Sequence, residues 1–301
     1  MDETTKHGGD VSLNEYGRLL RVALRSPRAV FGDPDRIARE WERLNFTAPP
    51  DPGRALEQFA VFAALVGASG AEVEELPGDA GLTLDAIYVR DASIVTPRGM
   101  VLCRMGKPAR MAEPEAQGQA FRSRGLTVSG AIEPLGALEG GDLVWLDERT
   151  LVVGRGYRTN DEGIRQLRGM VGSDVTIVVV PLPHYRGPQD VFHLMSIFSP
   201  VDNDLAVVYS PLMPIPFREW LCERGMRFVE VPDEEFESMG ANVLAIATRR
   251  CVMVEGNPVT RARLEAAGAD VAVYDGSEIS LKGGGGPTCL TRPLTRESIV
   301  E

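Results

Sequence analysis

At 301 residues, with 44% apolar and 25% charged side chains, the chain has an ordinary globular composition and can bury a sizeable core. Its formal charge of −11 argues against nucleic acid or an anionic membrane as the main partner, because both reward basic surfaces; a small cationic substrate is compatible with it. The apolar run at 175–182 is too short to cross a bilayer.

In chain order, residues 1–12 read as a flexible polar tail without a secretory h-region. Residues 13–301 read as one domain, since no low-complexity linker divides them. LLRVALR (19–25) suits a buried strand. Asp33-Pro34 starts a helix expected to run to about Asn45. A second helix is expected over 54–65, before a strand at 71–77. AIYVRDASIV and MVLCRM read as paired strands, followed by a helix over 113–124. DLVWLD, TLVVGR, a helix over 160–171 and VTIVVV repeat the order. So do LAVVYS, a helix near 217–224 and MRFVEV, then NVLAIAT, RCVMVEG, a helix over 258–267 and DVAVYD. Alternation of this kind argues for the α/β class, built of ββαβ modules of about 40 to 60 residues with parallel pairing inside each.

Four stretches could carry chemistry. Cys103, Cys222, Cys251 and Cys289 have no CxxC spacing, so reduced thiols in a cytoplasmic protein are expected. Cys289 follows four consecutive glycines, 283–286, a costly run that implies a bend or a close approach. A phosphate loop is not expected there, because no lysine stands in the required place. A cysteine nucleophile needs an acid or base, and of His7, His184 and His193 only the last two lie outside the tail. Glu139-Gly140-Gly141-Asp142 reads either as a hairpin turn or as a device aiming Glu139 into a cleft. Asp85, Arg90 and Asp91 interrupt a β-like stretch, as an ionic feature at a strand end or as carboxylates reading a cation. Zinc is not expected, for want of clustered Cys and His ligands.

These pieces stand in a telling order. NEYGRLLRVALRSP (14–27), LDAIYVRDASIV (84–95), CRMGKPAR (103–110), LEGGDLVW (138–145), GRGYRTNDEG (154–163), FHLMS (192–196), MGANVLAI (239–246) and GGGGPTCL (283–290) together resemble the guanidino-group-modifying superfamily. Its members are arginine deiminases, amidinotransferases and dimethylarginine dimethylaminohydrolases. The resemblance implies a five-bladed α/β propeller with pseudo-fivefold symmetry, the pentein fold. It implies Cys289 as nucleophile, His193 as general acid and base, and Glu139 as the carboxylate orienting both. Asp85 and Asp91 match acids that grip the guanidinium, and Arg110 and Arg158 match arginines that hold the amino-acid end. Arg90-Asp91 is the deiminase-like pairing, whereas Arg158-Thr159-Asn160 is shared with the dimethylarginine hydrolases. Met195 stands where deiminases carry an acid, which implies an apolar pocket favouring methylated arginine.

The implied reaction converts dimethylarginine to citrulline and dimethylamine with no metal or organic cofactor. An arginine deiminase or an amidinotransferase is the near alternative, and a silent binder of cationic amino acids the distant one. The resemblance leaves room for a homodimer. With Asp85, Asp91 and Glu139 around it, the Cys289 thiol is expected at or above its ordinary pKa.

Overall fold

The computed structural model describes residues 12–188, 190 and 192–298, and within them the strands form five separate three-stranded sheets. The first sheet begins with β1 (Leu19–Leu24); helices α1 (Pro27–Val30), α2 (Pro34–Glu40) and α3 (Pro52–Gly67) lead to β2 (Glu72–Glu75), parallel to β1. The second holds β3 (Ser93–Thr96), β4 (Gly99–Leu102), α4 (Glu113–Ser123) and β5 (Val128–Ala131). The third holds β6 (Leu143–Asp147), β7 (Thr150–Arg155), α5 (Asp161–Val171) and β8 (Thr176–Pro181). In the fourth are β9 (Phe198–Pro200), β10 (Leu205–Val208), α6 (Ile215–Glu223) and β11 (Arg227–Glu230). After α7 (Asp233–Phe236) come β12 (Leu244–Ala247), β13 (Arg250–Val254), α8 (Pro258–Ala266) and β14 (Asp270–Tyr274).

In each of the last four, the first two strands pair antiparallel and the third returns parallel to the second across a helix. The chain then ends with β15 (Arg292–Arg296), which pairs antiparallel with β1. The first blade is therefore built from both ends of the chain. Five such units make the expected α/β propeller.

The third blade shows why the sequence folds this way. Asn160 caps α5, its side chain accepting from the Gly163 N–H at 2.8 Å. Ile164, Leu167 and Val171, spaced i, i+3 and i+7, are buried against Leu143, Leu151 and Val153. Each such side chain stabilises by roughly 1.5–3 kcal/mol as an upper estimate. Thr150 to Gly154 of β7 are all buried, so this middle strand reads as a continuous apolar run.

Several expected bounds shift. The helix starting at Pro34 stops at Glu40, and turns carry the chain to Asn45, whose φ of 68° is left-handed. Helix α3 extends beyond 54–65 because Asp51 caps it, accepting from the Arg54 N–H at 2.9 Å. The run AIYVRDASIV is not one strand: Leu84–Ile87 forms a 3-10 turn, and pairing starts only at Ser93. Every residue from 84 to 92 is buried, so its apolar character reports enclosure rather than strand. Strands β5 and β15 went unexpected; one is short and half polar, and the other contains Pro293, tolerated because β15 is an edge strand. Of the tail expected at 1–12, residues 1–11 lie outside the described residues, and Ser12 bridges to Arg296. No helix among the described residues is long and apolar enough to cross a membrane.

Candidate active site

Segments from every blade converge on a cleft of about 480 Å³. Asp85, Tyr88 and Asp91 come from the stretch before β3, and Lys107 and Arg110 from the stretch after β4. Arg158 follows β7, Tyr185, Arg186, Asp190, Phe192, His193 and Ser196 follow β8, and Asn242 precedes β12. Cys289 closes the circle after β14. Loops at one end of a radial array are where such a scaffold can gather side chains from distant sequence.

His193 is 3% exposed, and its Nε2 lies 2.7 Å from Glu139 Oε2. Its main-chain N–H donates to Ser196 Oγ at 3.1 Å, which fixes where the ring emerges. Asp91 Oδ1 lies 3.9 Å from Nδ1 on the other side. Gly141 is needed here, because a Cβ would stand 2.6 Å from Nδ1 and 2.8 Å from Asp91 Oδ1. Gly140 is needed as well, since a Cβ there would strike the Arg90 carbonyl. Burial works against charge on both partners. Even so, Asp91, Asp142 and the Glu139 bond raise the imidazole to about 9, and that same bond with the imidazole charge holds Glu139 at about 2. At neutral pH the pair is imidazolium and carboxylate.

Asp91 is a junction. Its Oδ2 accepts from Arg110 Nη1 at 2.6 Å, its Oδ1 accepts from the Gly141 N–H at 3.1 Å, and its carbonyl accepts from the Gly140 N–H at 2.8 Å. The other Arg110 donors go to both Glu113 oxygens at 2.8 Å and to the Tyr88 carbonyl at 2.9 Å. Asp85 Oδ2 accepts from Lys107 Nζ at 2.6 Å. Arg158 places Nη1 3.7 Å from Glu139 Oε1 and donates from Nη2 to the Asp190 carbonyl at 3.3 Å; its Nε is buried without a partner.

The glycine run has a different reason at each position. A Cβ at Gly283 would strike the Tyr88 hydroxyl and the Phe46 ring, and one at Gly285 the Tyr88 ring. At Gly286 a Cβ would stand 2.5 Å from the Asn242 amide, while Gly284 has open space but a φ of +75°. The loop thus lies flat against Tyr88 and Asn242, and Cys289 is delivered from it. Asn242 Oδ1 accepts from the Thr288 N–H and hydroxyl, both at 3.0 Å, and its Nδ2 approaches the Cys289 sulfur at 3.7 Å. Burial first, and Asp91 second, push the thiol up to about 11; Thr288, the Gly286 amide and Arg90 act the other way.

Not every expected residue reaches the cleft. Arg90 does not line it: Nη1 meets both Glu15 oxygens at 3.1 and 3.3 Å, and Nε donates to the Thr288 carbonyl at 3.1 Å. Met195 also turns away, packing with Leu194, Ile197 and Phe198, so it does not supply the apolar pocket wall expected of it. His184 is exposed beside Tyr157, its Nδ1 2.7 Å from the hydroxyl, in a neighbouring cavity. Lys107, Tyr88 and Asn242 line the cleft and were not singled out, although all three sit inside motifs that were. Asp91, Glu139 and His193 bring ligand atoms within 4.8 Å of one another, the one grouping among the described residues that could hold a metal ion. A cation there would compete with Arg110 and with the His193–Glu139 bond.

Residues 47–296 match the family model described as N,N dimethylarginine dimethylhydrolase, eukaryotic. The chain is 31% identical over 268 residues to N(G),N(G)-dimethylarginine dimethylaminohydrolase of Streptomyces coelicolor, covering 88% of this chain and 93% of that one. It is 27% identical over 252 residues to an arginine deiminase of Rhodococcus opacus, covering 71% of this chain and 60% of the deiminase. Among solved structures, a DDAH of Pseudomonas aeruginosa complexed with citrulline shares the fold with a TM-score of 0.71 at 22% identity, over 91% of this chain and 98% of that one.

Proposed function

The chain belongs to the N,N dimethylarginine dimethylhydrolase family, and on that premise we propose that it hydrolyses methylated arginine to citrulline and a methylamine through a covalent intermediate on Cys289. The coarser activity, hydrolysis of a guanidino group, belongs to the family. The finer substrate is supported by the cleft's mixed lining of carboxylates with Tyr88, Phe192, Met239 and Leu281. Each methyl carbon buried against such a wall is worth about 0.8 kcal/mol.

The observation that carries the reading is His193, held by the buried Glu139 behind it, lining the same cleft as Cys289. A guanidinium is planar and resonance-stabilised, hence a poor electrophile, and carboxylates that fix its plane expose the central carbon. Asp91, itself oriented by Arg110, takes that part. Arg110 acts through Asp91, because each of its nitrogens is engaged; Arg158, which lines the cleft and donates to the Asp190 carbonyl, takes the substrate carboxylate, and Asp85, paired with Lys107, is the second acid at the guanidinium. With the guanidinium bound, the Cys289 thiol gives up its proton to solvent; the thiolate sulfur then bonds to the central carbon, and the adduct collapses, breaking its C–N bond, as His193 protonates the departing amine. Water then attacks the amidino-thioether while His193 takes its proton. The C–S bond breaks, releasing the ureido product and the thiolate.

The second reading is an arginine deiminase, favoured by the Arg90-Asp91 pair and by the Rhodococcus relative. Incubating the protein with dimethylarginine, monomethylarginine, arginine and agmatine separates the two. The expected result is citrulline with methylamines, at a higher kcat/KM than for arginine. Faster ammonia release from arginine would move the assignment to the deiminases.

A further inference from the structure

Beside the cleft, and not part of it, the interior holds more positive charge than it pairs. Arg90, Arg292 and Arg296 are 1%, 4% and 2% exposed, and together with Glu15 they line a second cavity of about 20 Å³. Three guanidinium groups against one carboxylate leave a net charge of +2. Glu15 spends both oxygens on Arg90 Nη1. Arg296 Nη1 is satisfied by the Gly17 and Ala245 carbonyls, at 2.5 and 2.9 Å. Five other guanidinium nitrogens, Arg90 Nη2 and the Nε and Nη2 of Arg292 and Arg296, are shielded from solvent and have no partner among the described residues. Arginine is almost never buried unpaired, and an unsatisfied buried donor is costly. Burial, with the Arg90 charge adding to it, presses Arg292 down to about 9; burial also lowers Arg296 to about 10, Glu15 opposing it and Arg90 adding to it.

The cavity exceeds the roughly 10–15 Å³ that one water needs, so it admits a single particle of that class. A water brings no charge, and its two hydrogens need acceptors where Glu15, the only carboxylate lining the cavity among the described residues, is already engaged. A monovalent anion accepts several N–H groups at once and cancels half of the excess charge.

We propose that Arg90, Arg292 and Arg296 form a buried binding site for one small inorganic anion of the halide class. The site adjoins the Thr288–Cys289 segment, because Arg90 donates from Nε to the Thr288 carbonyl and from its main-chain N–H to the Cys289 carbonyl, both at 3.1 Å. This assignment is independent of the substrate and rests on the donors alone.

Two measurements on the whole protein test it. Crystals grown in sodium bromide should show an anomalous peak in this cavity, within hydrogen-bond distance of Arg292 and Arg296; a cavity that is empty, or that holds only water, overturns the proposal. In solution, exchanging sodium gluconate for chloride or bromide at constant ionic strength should raise Tm by a few degrees and saturate. Arg292→Met should remove that dependence. Equal Tm values for the wild type in all three salts would also overturn it, whether or not the variant folds.

Discussion

At the scale of single residues, the site is governed by which charges are buried beside which. Burial and Asp91 lift Cys289 to about 11 while His193 is held near 9, so thiol beside imidazolium is the ground state at pH 7. Neutral iodoacetamide should therefore inactivate slowly at pH 7, with a rate rising about tenfold per pH unit up to pH 10, as expected below a thiol's pKa. A pH-independent rate between 6 and 10 would mean a preformed thiolate. The same pair shapes stability. Raised above its unfolded value of 6.5, His193 contributes fully below pH 6.5 and loses its contribution as pH rises through 9. Depressed below 4.5, Glu139 contributes fully above pH 4.5 and loses its contribution as pH falls through 2. The two shifts overlap in the His193–Glu139 bond, and Asp91 and Asp142 also raise the imidazole, so the shared part is worth at most on the order of 3 kcal/mol. Glu139→Gln should thus cost most in urea unfolding between pH 4.5 and 6.5 and much less at pH 10; a cost independent of pH would refute the ionic pairing. Motif order pointed to Glu139, His193 and Cys289, and the structure has His193 and Cys289 lining one cleft with Glu139 behind the imidazole. It could not disclose that Arg90 faces Glu15, that Met195 faces the core, or that Lys107 neutralises Asp85, because a side chain's direction is set by contacts from distant segments.

At the scale of elements, the cleft depends on turns that only glycine permits. Gly285→Ala would press a methyl into the Tyr88 ring, an overpacking that typically costs about 1–3 kcal/mol. Gly284→Ala meets no atom, but must hold a φ of +75°, at about 1–2 kcal/mol. Both should lower Tm. Only Gly285→Ala should also depress kcat strongly, since it moves the loop that carries Cys289 relative to Asn242. Wild-type kcat in Gly285→Ala would show that the loop tolerates that shift. The glycine run was legible as a constraint, and its partner Tyr88 was not: AIYVRDASIV reads as strand until the structure shows it coiling through 84–92 to face the loop. Helices α5 and α8, by contrast, fell within a residue of the expected bounds, because capping and apolar spacing are local signals.

For the whole molecule, the decisive contact is between the chain's two ends. Alternating strands and helices announce repeated modules, and four of the five follow directly in sequence. The first blade does not, because its antiparallel partner, β15, lies more than two hundred residues from β1 and carries a proline that argues against a strand. Nothing local marks such a closure. Its energetic weight can be tested by ending the chain after Thr291. That removes the ladder from Leu19–Arg296 to Ala23–Arg292, uncovers Leu294 and the backbone edge of β1, and breaks the Arg296 bonds to Gly17 and Ala245. Losses of a buried leucine and several ladder hydrogen bonds add to about 5 kcal/mol or more, comparable with the net stability of many domains. The shortened chain should accordingly lose the cooperative urea transition, or shift it to far lower denaturant, and should expose β1 to edge-to-edge association. An unchanged midpoint and slope would mean that the other four blades hold the ring together without its clasp.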